Sequence, residues 1–458
     1  MLWLASISIP AKAQIFFNFT KSNIGQGAIY VDHPSIEYAS VLSVAPTINI
    51  KSMDTFFKKG TTVTTLNANL FRARTVGTGG QPSNLAASTL GQDATLSTTM
   101  TPVYSSLLGV LAAGLLTIRY TIPNPALFGW KAGTYTNGIA FNLTGVTVGS
   151  ITAKANLITV TVEPFLSVTP TQNIDFTIDA LDYFRTRALP AKSQSLSITS
   201  TLNAGVRMKS NTALFTYTNG YTGGTDPKAP ATILMAQMTT PKVKPAEFLT
   251  GIVFKTMTDA TGIEIPVGNI SNMSIAYSLS NDILKNNFLK KGTYTLNLSQ
   301  EFFDAEAAGV PTIQTLASTV IVNVADMAEI KVNQTDVNLA FRTAADYKNG
   351  VRVDMPAHLT MSATSPYDLH IKASNASLTN GSNSIPVSAL QISASTSDGV
   401  QMEPLTLSST RQRMFSFLPV IDKPFTITYS IKAAEAAKLI GKATGTYTTS
   451  ITYSLVAP

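Results

Sequence analysis

Acid–base or metal chemistry would have to start from the chain's three histidines, His33, His358 and His370. His358 and His370 stand twelve residues apart, and His370 lies between Leu369 and Ile371 in an alternating, strand-like pattern. A metal site needs convergent ligands at a recognisable spacing, and none of the three sits in one. All three read as surface or strand-edge residues. Asp175, Asp179 and Asp182 form a small acidic set, and Asp346 repeats its last member. A calcium loop places oxygen ligands at alternate positions with glycine at the turn. That spacing is missing, so Asp182 and Asp346 read as caps or braces of turns. Gly77, Gly79 and Gly80 make a glycine-rich stretch without the Gly-Lys-Ser/Thr of a phosphate loop. The sequence holds neither a Gly-x-Ser-x-Gly elbow nor a His-Glu-x-x-His helix. Without cysteine it has no thiol nucleophile, no cysteine–zinc site and no disulfide. Glycosidase carboxylates can come from distant strands, but no pair stands out. The expectation is a protein that is not an enzyme, with no catalytic, metal or cofactor-binding residues. Trp130 is the one side chain that offers a ligand a surface: it either stacks on a sugar or closes a hydrophobic core.

The elements that carry these residues repeat. Gly-Thr-Tyr-Thr occurs at Gly133–Thr136, Gly292–Thr295 and Gly445–Thr448, at intervals of 159 and 153 residues. Ahead of each stands Ile-x-Tyr-Ser/Thr-aliphatic, at Ile118–Ile122, Ile275–Leu279 and Ile427–Ile431. Its apolar residues alternate, the period of a strand with one buried face. From that tyrosine to the next glycine the gap is 13, 15 and 16 residues. The spacing predicts, in each copy, a strand, a short helical or looped crossing, and a strand opened by Gly-Thr-Tyr-Thr. The second and third copies also match upstream, Asn173–Arg185 with Asp336–Lys348 and Val206–Lys209 with Leu369–Lys372. Thr218-Asn219-Gly220 matches Thr379-Asn380-Gly381, an Asn-Gly hairpin signal. In the first copy the counterpart of Asn173–Arg185 is expected at Pro46–Phe57, through Ile48, Ile50 and Asp54, with Gly77–Gln92 as a loop insertion.

A length of 458 residues accommodates three such copies. Only 13% of the residues are charged, while 44% are apolar, and threonine and serine occupy the intervening positions. Many short alternating strands between Asn, Gly and Pro turns indicate all-β architecture: three tandem immunoglobulin-like β-sandwich domains forming an elongated rod. The expected boundaries are 14–164 (divergent), 165–327 and 328–458, without a flexible linker. The net charge of +7 is spread thinly, with no dense basic run, so a nucleic-acid partner is not expected. The apolar stretch Leu107–Leu116 is too short to span a membrane. Residues 1–13 read as a truncated signal peptide, with Ala11 and Ala13 two apart before Gln14.

The last stretch, GTYTTSITYSLVAP, resembles the C-terminal strand of spore-coat-U-like and archaic chaperone–usher pilin domains. The third copy as a whole is similar to secreted β-sandwich repeat proteins of the Bacteroidota. This resemblance implies a secreted, cell-surface structural subunit of a fibre, pilus-like filament, coat or adhesin. Its partners would be copies of itself or other fibre subunits, and in some cases glycans. In such pilins an N-terminal strand completes the next subunit's sheet. Ile15, Phe17 and Phe19 share one face directly after the expected cleavage site. They form either such a donor strand or the first strand of their own domain. The alternative function is a surface array of carbohydrate- or ligand-binding modules, presenting loops such as Gly77–Gln92 and Asn219–Pro230.

Overall fold

The computed structural model of the chain describes residues 13–24, 26–39, 41–79, 93–105, 109–111, 114–169, 172–218, 220–221, 225–307, 309, 312–396 and 399–458. The expected signal segment up to Lys12, residues 80–92 of the expected insertion, parts of Leu107–Leu116 and Asn219 lie outside these residues.

The architecture is all-β, a set of sandwiches built from paired sheets. The first copy's main strands are β1 (Ala13–Phe19), β2 (Ile29–Tyr38), β3 (Val41–Ser52), β4 (Arg72–Gly79), β5 (Thr101–Ser105), β6 (Gly114–Ile122), β7 (Gly133–Val148) and β8 (Ala155–Val162). One sheet runs β1-β8-β7-β3-β5, and the facing sheet contains β2-β6-β4. The second copy holds β9 (Leu166–Val168), β10 (Ile174–Ile178), β11 (Lys192–Ser200), β12 (Ala204–Ser210), β13 (Met235–Thr240), β14 (Ile270–Ser278), α1 (Asn281–Asn287), β15 (Gly292–Asp304) and β16 (Thr312–Val324). Its sheets are β9-β11-β14-β13 and β10-β16-β15-β12. The third copy holds β17 (Ala328–Val332), α2 (Ala344–Asn349), β18 (Gly350–Ala363), β19 (Tyr367–Ala373), β20 (Gln391–Thr396), β21 (Gln412–Phe417), β22 (Val420–Lys432), α3 (Ala433–Ala437) and β23 (Ile451–Val456). Here the sheets are β17-β18-β22-β20 and β21-β19-β23. Each copy encloses its own hydrophobic cluster.

Period-two alternation decides which side chains enter these cores. Along β14, Met273, Ile275 and Tyr277 are buried, and along β6 Leu116, Ile118, Tyr120 and Ile122 are. The tyrosine of the Ile-x-Tyr pattern is thus buried in all three copies, and each finds a polar partner inside. Tyr120 donates to Ser35 Oγ (2.8 Å), Tyr277 bonds Gln194 Oε1 (3.0 Å), and Tyr429 bonds His358 Nε2 (2.9 Å). The short crossings are as expected: a single 3-10 turn at Pro125–Leu127, then α1 and α3.

Four expectations are corrected. Gly-Thr-Tyr-Thr opens a strand at β7 and β15, but Gly445–Thr448 is not a strand; β23 starts only at Ile451. Ile48 and Ile50 lie in β3, the counterpart of β12; the first copy's counterpart of β10 is β1, which pairs in parallel with β8 as β10 does with β16. Gly77–Gly79 belongs to β4 rather than to a loop. His358 is not a surface residue: it is 2% exposed, because the bulged stretch of β18 around Ala357 turns its ring inward onto Tyr429 and Tyr453.

Candidate assembly site

The Gly-Thr-Tyr-Thr motif is a corner. Gly133, Gly292 and Gly445 have φ of +136°, +142° and +139°, a region that L side chains rarely adopt. A Cβ on Gly292 would lie 2.6 Å from the Tyr217 ring and 2.8 Å from Thr218 O. The motif's tyrosine then reaches back four residues. Tyr135 OH donates to Lys131 O (2.6 Å), Tyr294 OH to Lys290 O (2.9 Å) and Tyr447 OH to Ala443 O (2.9 Å). This is the tyrosine corner that pins the entry to the sixth strand of many immunoglobulin-like sandwiches. Burial pushes the Tyr135 and Tyr294 hydroxyls well above the ordinary phenol range, so both are donors at any physiological pH.

Beyond the corner, the copies differ in what lies along that strand. In the first, β8 runs antiparallel to β7 and parallel to β1, so that Ile15, Phe17 and Phe19 stand opposite Ile158, Val160 and Val162. In the second, Ile174, Phe176 and Ile178 stand opposite Val320, Val322 and Val324 in the same way. All twelve side chains are buried. In the third copy, Val337, Leu339 and Phe341 are the counterparts of Ile174, Phe176 and Ile178, each 163 residues on. They pack half-buried on the third core without forming a strand. Across from them β23 keeps the register of β15: Ala373 pairs with Ile451 as Ser210 pairs with Leu298. Its other edge carries no strand among the described residues. Ile451, Tyr453 and Leu455 are therefore only half-buried, whereas Leu298, Gln300 and Phe302 at the matching places of β15 are fully enclosed. The outer edge of β23 thus pairs with no strand among the described residues, where β8 and β16 lie along β7 and β15 in the other copies.

The junctions between copies repeat as well. Thr201, directly after β11, donates from Oγ1 to Glu163 O (2.8 Å) and accepts from Phe165 N–H (2.9 Å); its own N–H reaches Phe165 O (3.0 Å), and Ala132 N–H donates to its carbonyl (2.8 Å). Thr364, directly after β18, makes the same four bonds: Oγ1 to Ala325 O (2.8 Å), Met327 N–H to Oγ1 (2.8 Å), N–H to Met327 O (2.9 Å), and Lys291 N–H to its carbonyl (2.8 Å). Ala132 and Lys291 are the residues just before Gly133 and Gly292. Both threonines are fully buried. Asn269, with φ +61°, adds three bonds at the first junction, to Trp130 N–H, Trp130 O and Ser200 O. At the second, the Arg185 guanidinium reaches Asp422 (2.8 Å), Glu329 (3.1 Å), Asp182 (3.3 Å) and Ser362 Oγ (3.1 Å). Burial pushes the Asp422 carboxyl up, but Arg185 and Ser362 outweigh it and leave it below the ordinary carboxylate range.

The other candidate residues fall into structural places. Ile15, Phe17 and Phe19 fill the core of their own copy. Trp130 is 1% exposed, stacked on Phe19 (centroids 4.5 Å apart) with Nε1 donating to Pro125 O. Asp346 accepts the N–H groups of Arg342 and Thr343, which hold its carboxyl below the usual range, a helix cap at α2. Asp175 and Asp179 are exposed on and beside β10, and His33 is half-buried on β2. His370 is half-buried on β19. No group of three acidic, histidine or cysteine residues that could hold a metal occurs among the described residues. An open cleft of about 450 Å³ at the first junction is lined by residues that include Lys59, Lys131, Tyr135, Asn203 and Glu264. Thr201 and Thr364 escaped sequence reasoning, although they stand at the same 163-residue offset as Val206 and Leu369.

No family model matches this chain, and no curated protein matches it. Among solved structures it is similar to the chaperone–tip adhesion subunit pre-assembly complex of the archaic chaperone–usher Csu pili of Acinetobacter baumannii: 10% identity over 64% of this chain and 99% of that one, TM-score 0.29. A tip adhesin from Pseudomonas aeruginosa is similar at 10% identity over 66% and 94%, TM-score 0.28. The adhesive subunit of the CFA/I fimbria of enterotoxigenic Escherichia coli is similar at 7% identity over 68% and 97%, TM-score 0.26. The Bacteroidota half of the resemblance receives no support. No helix among the described residues is long and apolar enough to cross a membrane.

Proposed function

We propose that this chain is a non-enzymatic structural subunit of a bacterial extracellular fibre, coat or adhesin, assembled by accepting a β-strand into its third copy. The observation that carries this reading is the outer edge of β23, which pairs with no strand among the described residues, whereas β8 and β16 lie along β7 and β15 in the other two copies. An added strand would bond its backbone to β23 and set apolar side chains between Val337, Leu339 and Phe341 on one side and Tyr447 and Gly445 on the other. Burying three valine-sized side chains is worth about 1.5–3 kcal/mol each before ordering costs, enough to hold two subunits together. A subunit of this kind works outside the cell, and its chemistry is backbone pairing rather than catalysis.

The test uses the full chain and a synthetic peptide with the sequence of β16, TIQTLASTVIVNV. Hydrogen exchange over Ile451–Val456 should slow by about tenfold or more when the peptide binds. The same peptide with Val320, Val322 and Val324 replaced by Asp should have no effect. Equal exchange with both peptides would refute strand acceptance. Immunogold labelling of intact cells then separates filaments from a scattered surface adhesin.

A further inference from the structure

The chain between β13 and β14 runs along one side of the second sandwich. Glu247–Phe248 pairs with the edge of β13, and Lys255–Thr256 pairs with the edge of β12. Residues 249–254 cross from one sheet to the other, and the crossing is held at fixed points. Leu249 is buried and its N–H donates to Leu234 O (2.9 Å), Ser210 N–H donates to Gly251 O (2.9 Å), and Thr250 Oγ1 donates to Val253 O (2.7 Å). Gly251, with φ +73°, turns the chain. Such a turn ordinarily presents glycine, proline, asparagine, aspartate or serine to water. This one presents Ile252 and Val253, 58% and 63% exposed, with Val243 and Phe248 exposed on the approach to it. A contiguous set of exposed apolar side chains rimmed by polar groups marks an interaction site.

The rim is cationic. The half-buried Phe254 ring lies 4.7 Å from Arg207 Cζ and 4.4 Å from Lys209 Nζ. Lys255 Nζ reaches Phe248 O (3.1 Å) and Glu247, Lys242 and Lys244 share Asp259, and Arg207 pairs with Glu301. Five cations thus stand against three carboxylates along this side. A stable protein–protein interface buries about 1,200–2,000 Å², far more than the side chains of one turn supply. A lipid surface asks for less: apolar side chains that enter the acyl boundary, and lysines whose stems run beside them to the headgroups.

We propose that this turn is a contact site for a lipid surface carrying anionic headgroups, with Phe248, Ile252 and Val253 entering the acyl boundary and Lys209, Lys244 and Lys255 at headgroup level. The site uses the second sandwich alone, so it stands or falls independently of strand acceptance by the third copy.

The experiment floats the full chain with vesicles of phosphatidylcholine alone and of phosphatidylcholine mixed with phosphatidylglycerol. The wild type should partition onto the mixed vesicles about tenfold or more above the neutral ones, and added salt should shrink that preference. Ile252→Ser combined with Val253→Ser should lower binding to the mixed vesicles about tenfold or more, with the thermal midpoint unchanged because both side chains are exposed. The chain has no cysteine, so Val253→Cys takes a single polarity-sensitive dye, whose emission should shift to the blue on the mixed vesicles. Equal binding by the wild type and the double variant, or a bound chain whose dye keeps its aqueous emission, overturns the proposal. Binding to neither vesicle overturns it as well; self-association that the double variant abolishes would then assign the turn to a contact between copies of this chain.

Discussion

Removing the Asn269 side chain should loosen the first junction, and Trp130 reports on it. Asn269 is 1% exposed, and its amide bonds Trp130 N–H (2.9 Å), Trp130 O (2.7 Å) and Ser200 O (2.7 Å). Its backbone sits at φ +61°, so Asn269→Gly removes the amide without adding backbone strain. Three neutral hydrogen bonds at about 1 kcal/mol each set the loss near 3 kcal/mol, and the backbone groups left unpaired push it upward. Asn269→Ala should lose about 1–2 kcal/mol more, because a Cβ disfavours the left-handed conformation. The assay is urea unfolding monitored by tryptophan fluorescence, since Trp130 is buried beside the junction and stacked on Phe19. The expected signature is a lower midpoint for Gly and a lower one still for Ala. A loss below about 1 kcal/mol for Asn269→Gly, or equal losses for the two variants, would refute the assignment of Asn269 as the junction's buried bracket.

The corner, the second junction and the buried histidine each give a further expected outcome. Tyr294→Phe should lose about 1 kcal/mol through the missing bond to Lys290 O. Gly292→Ala should lose more, about 2 kcal/mol or above, because its Cβ meets the Tyr217 ring at 2.6 Å; thermal unfolding ranks the two. Arg185→Ala should speed proteolysis at Ala325–Met327 at neutral pH. The wild-type chain should match it only in acid: the folded Asp422 carboxyl is held below its ordinary 3.8, so its contribution is present above that value and lost as pH falls through the lower folded one. Burial holds His358 below its ordinary 6.5, so the folded state favours the neutral ring. The third copy should therefore weaken as pH falls below about 6.5, and His358→Gln should flatten that slope in denaturation curves.

Most of the sandwich was legible because strand alternation, the turn glycine and the short crossing are local signals. Ile118–Ile122, Ile275–Ser278 and Ile427–Ile431 each lie in a strand where the period-two pattern places them. What failed was non-local. Gly445–Thr448 reads like its two counterparts, yet its backbone bonds only Thr379 among the described residues, through a single bridge at Thr448, and no strand among them lies where β8 and β16 lie beside β7 and β15. The same absence leaves Val337–Phe341 alternating without becoming a strand. In the first copy, Ile48 and Ile50 matched the wrong strand, since alternating isoleucines suit any strand with one buried face. His358 was misplaced because a bulge, which shifts the facing of side chains, has no signature in the residue types around it.

An unpaired strand edge is a liability that proteins usually blunt with lysine, proline, a bulge or a covering loop. Along β23 the residues are Ile451, Thr452, Tyr453, Ser454, Leu455 and Val456. None is charged, none is proline, and the pairing with β19 runs without a bulge from Ile451 to Val456. Val337, Leu339 and Phe341, the counterparts of β10, pack half-buried on the third core without pairing with β23. The third copy thus combines an uncharged strand edge with the lack of any strand paired to it among the described residues. That combination stabilises little by itself and fits an incoming strand, which is why substitutions placing a charge on this edge, such as Thr452→Lys, should abolish peptide binding while leaving the rest of the fold unchanged. If Thr452→Lys bound the β16 peptide as tightly as the wild type, the edge would not be the site of addition.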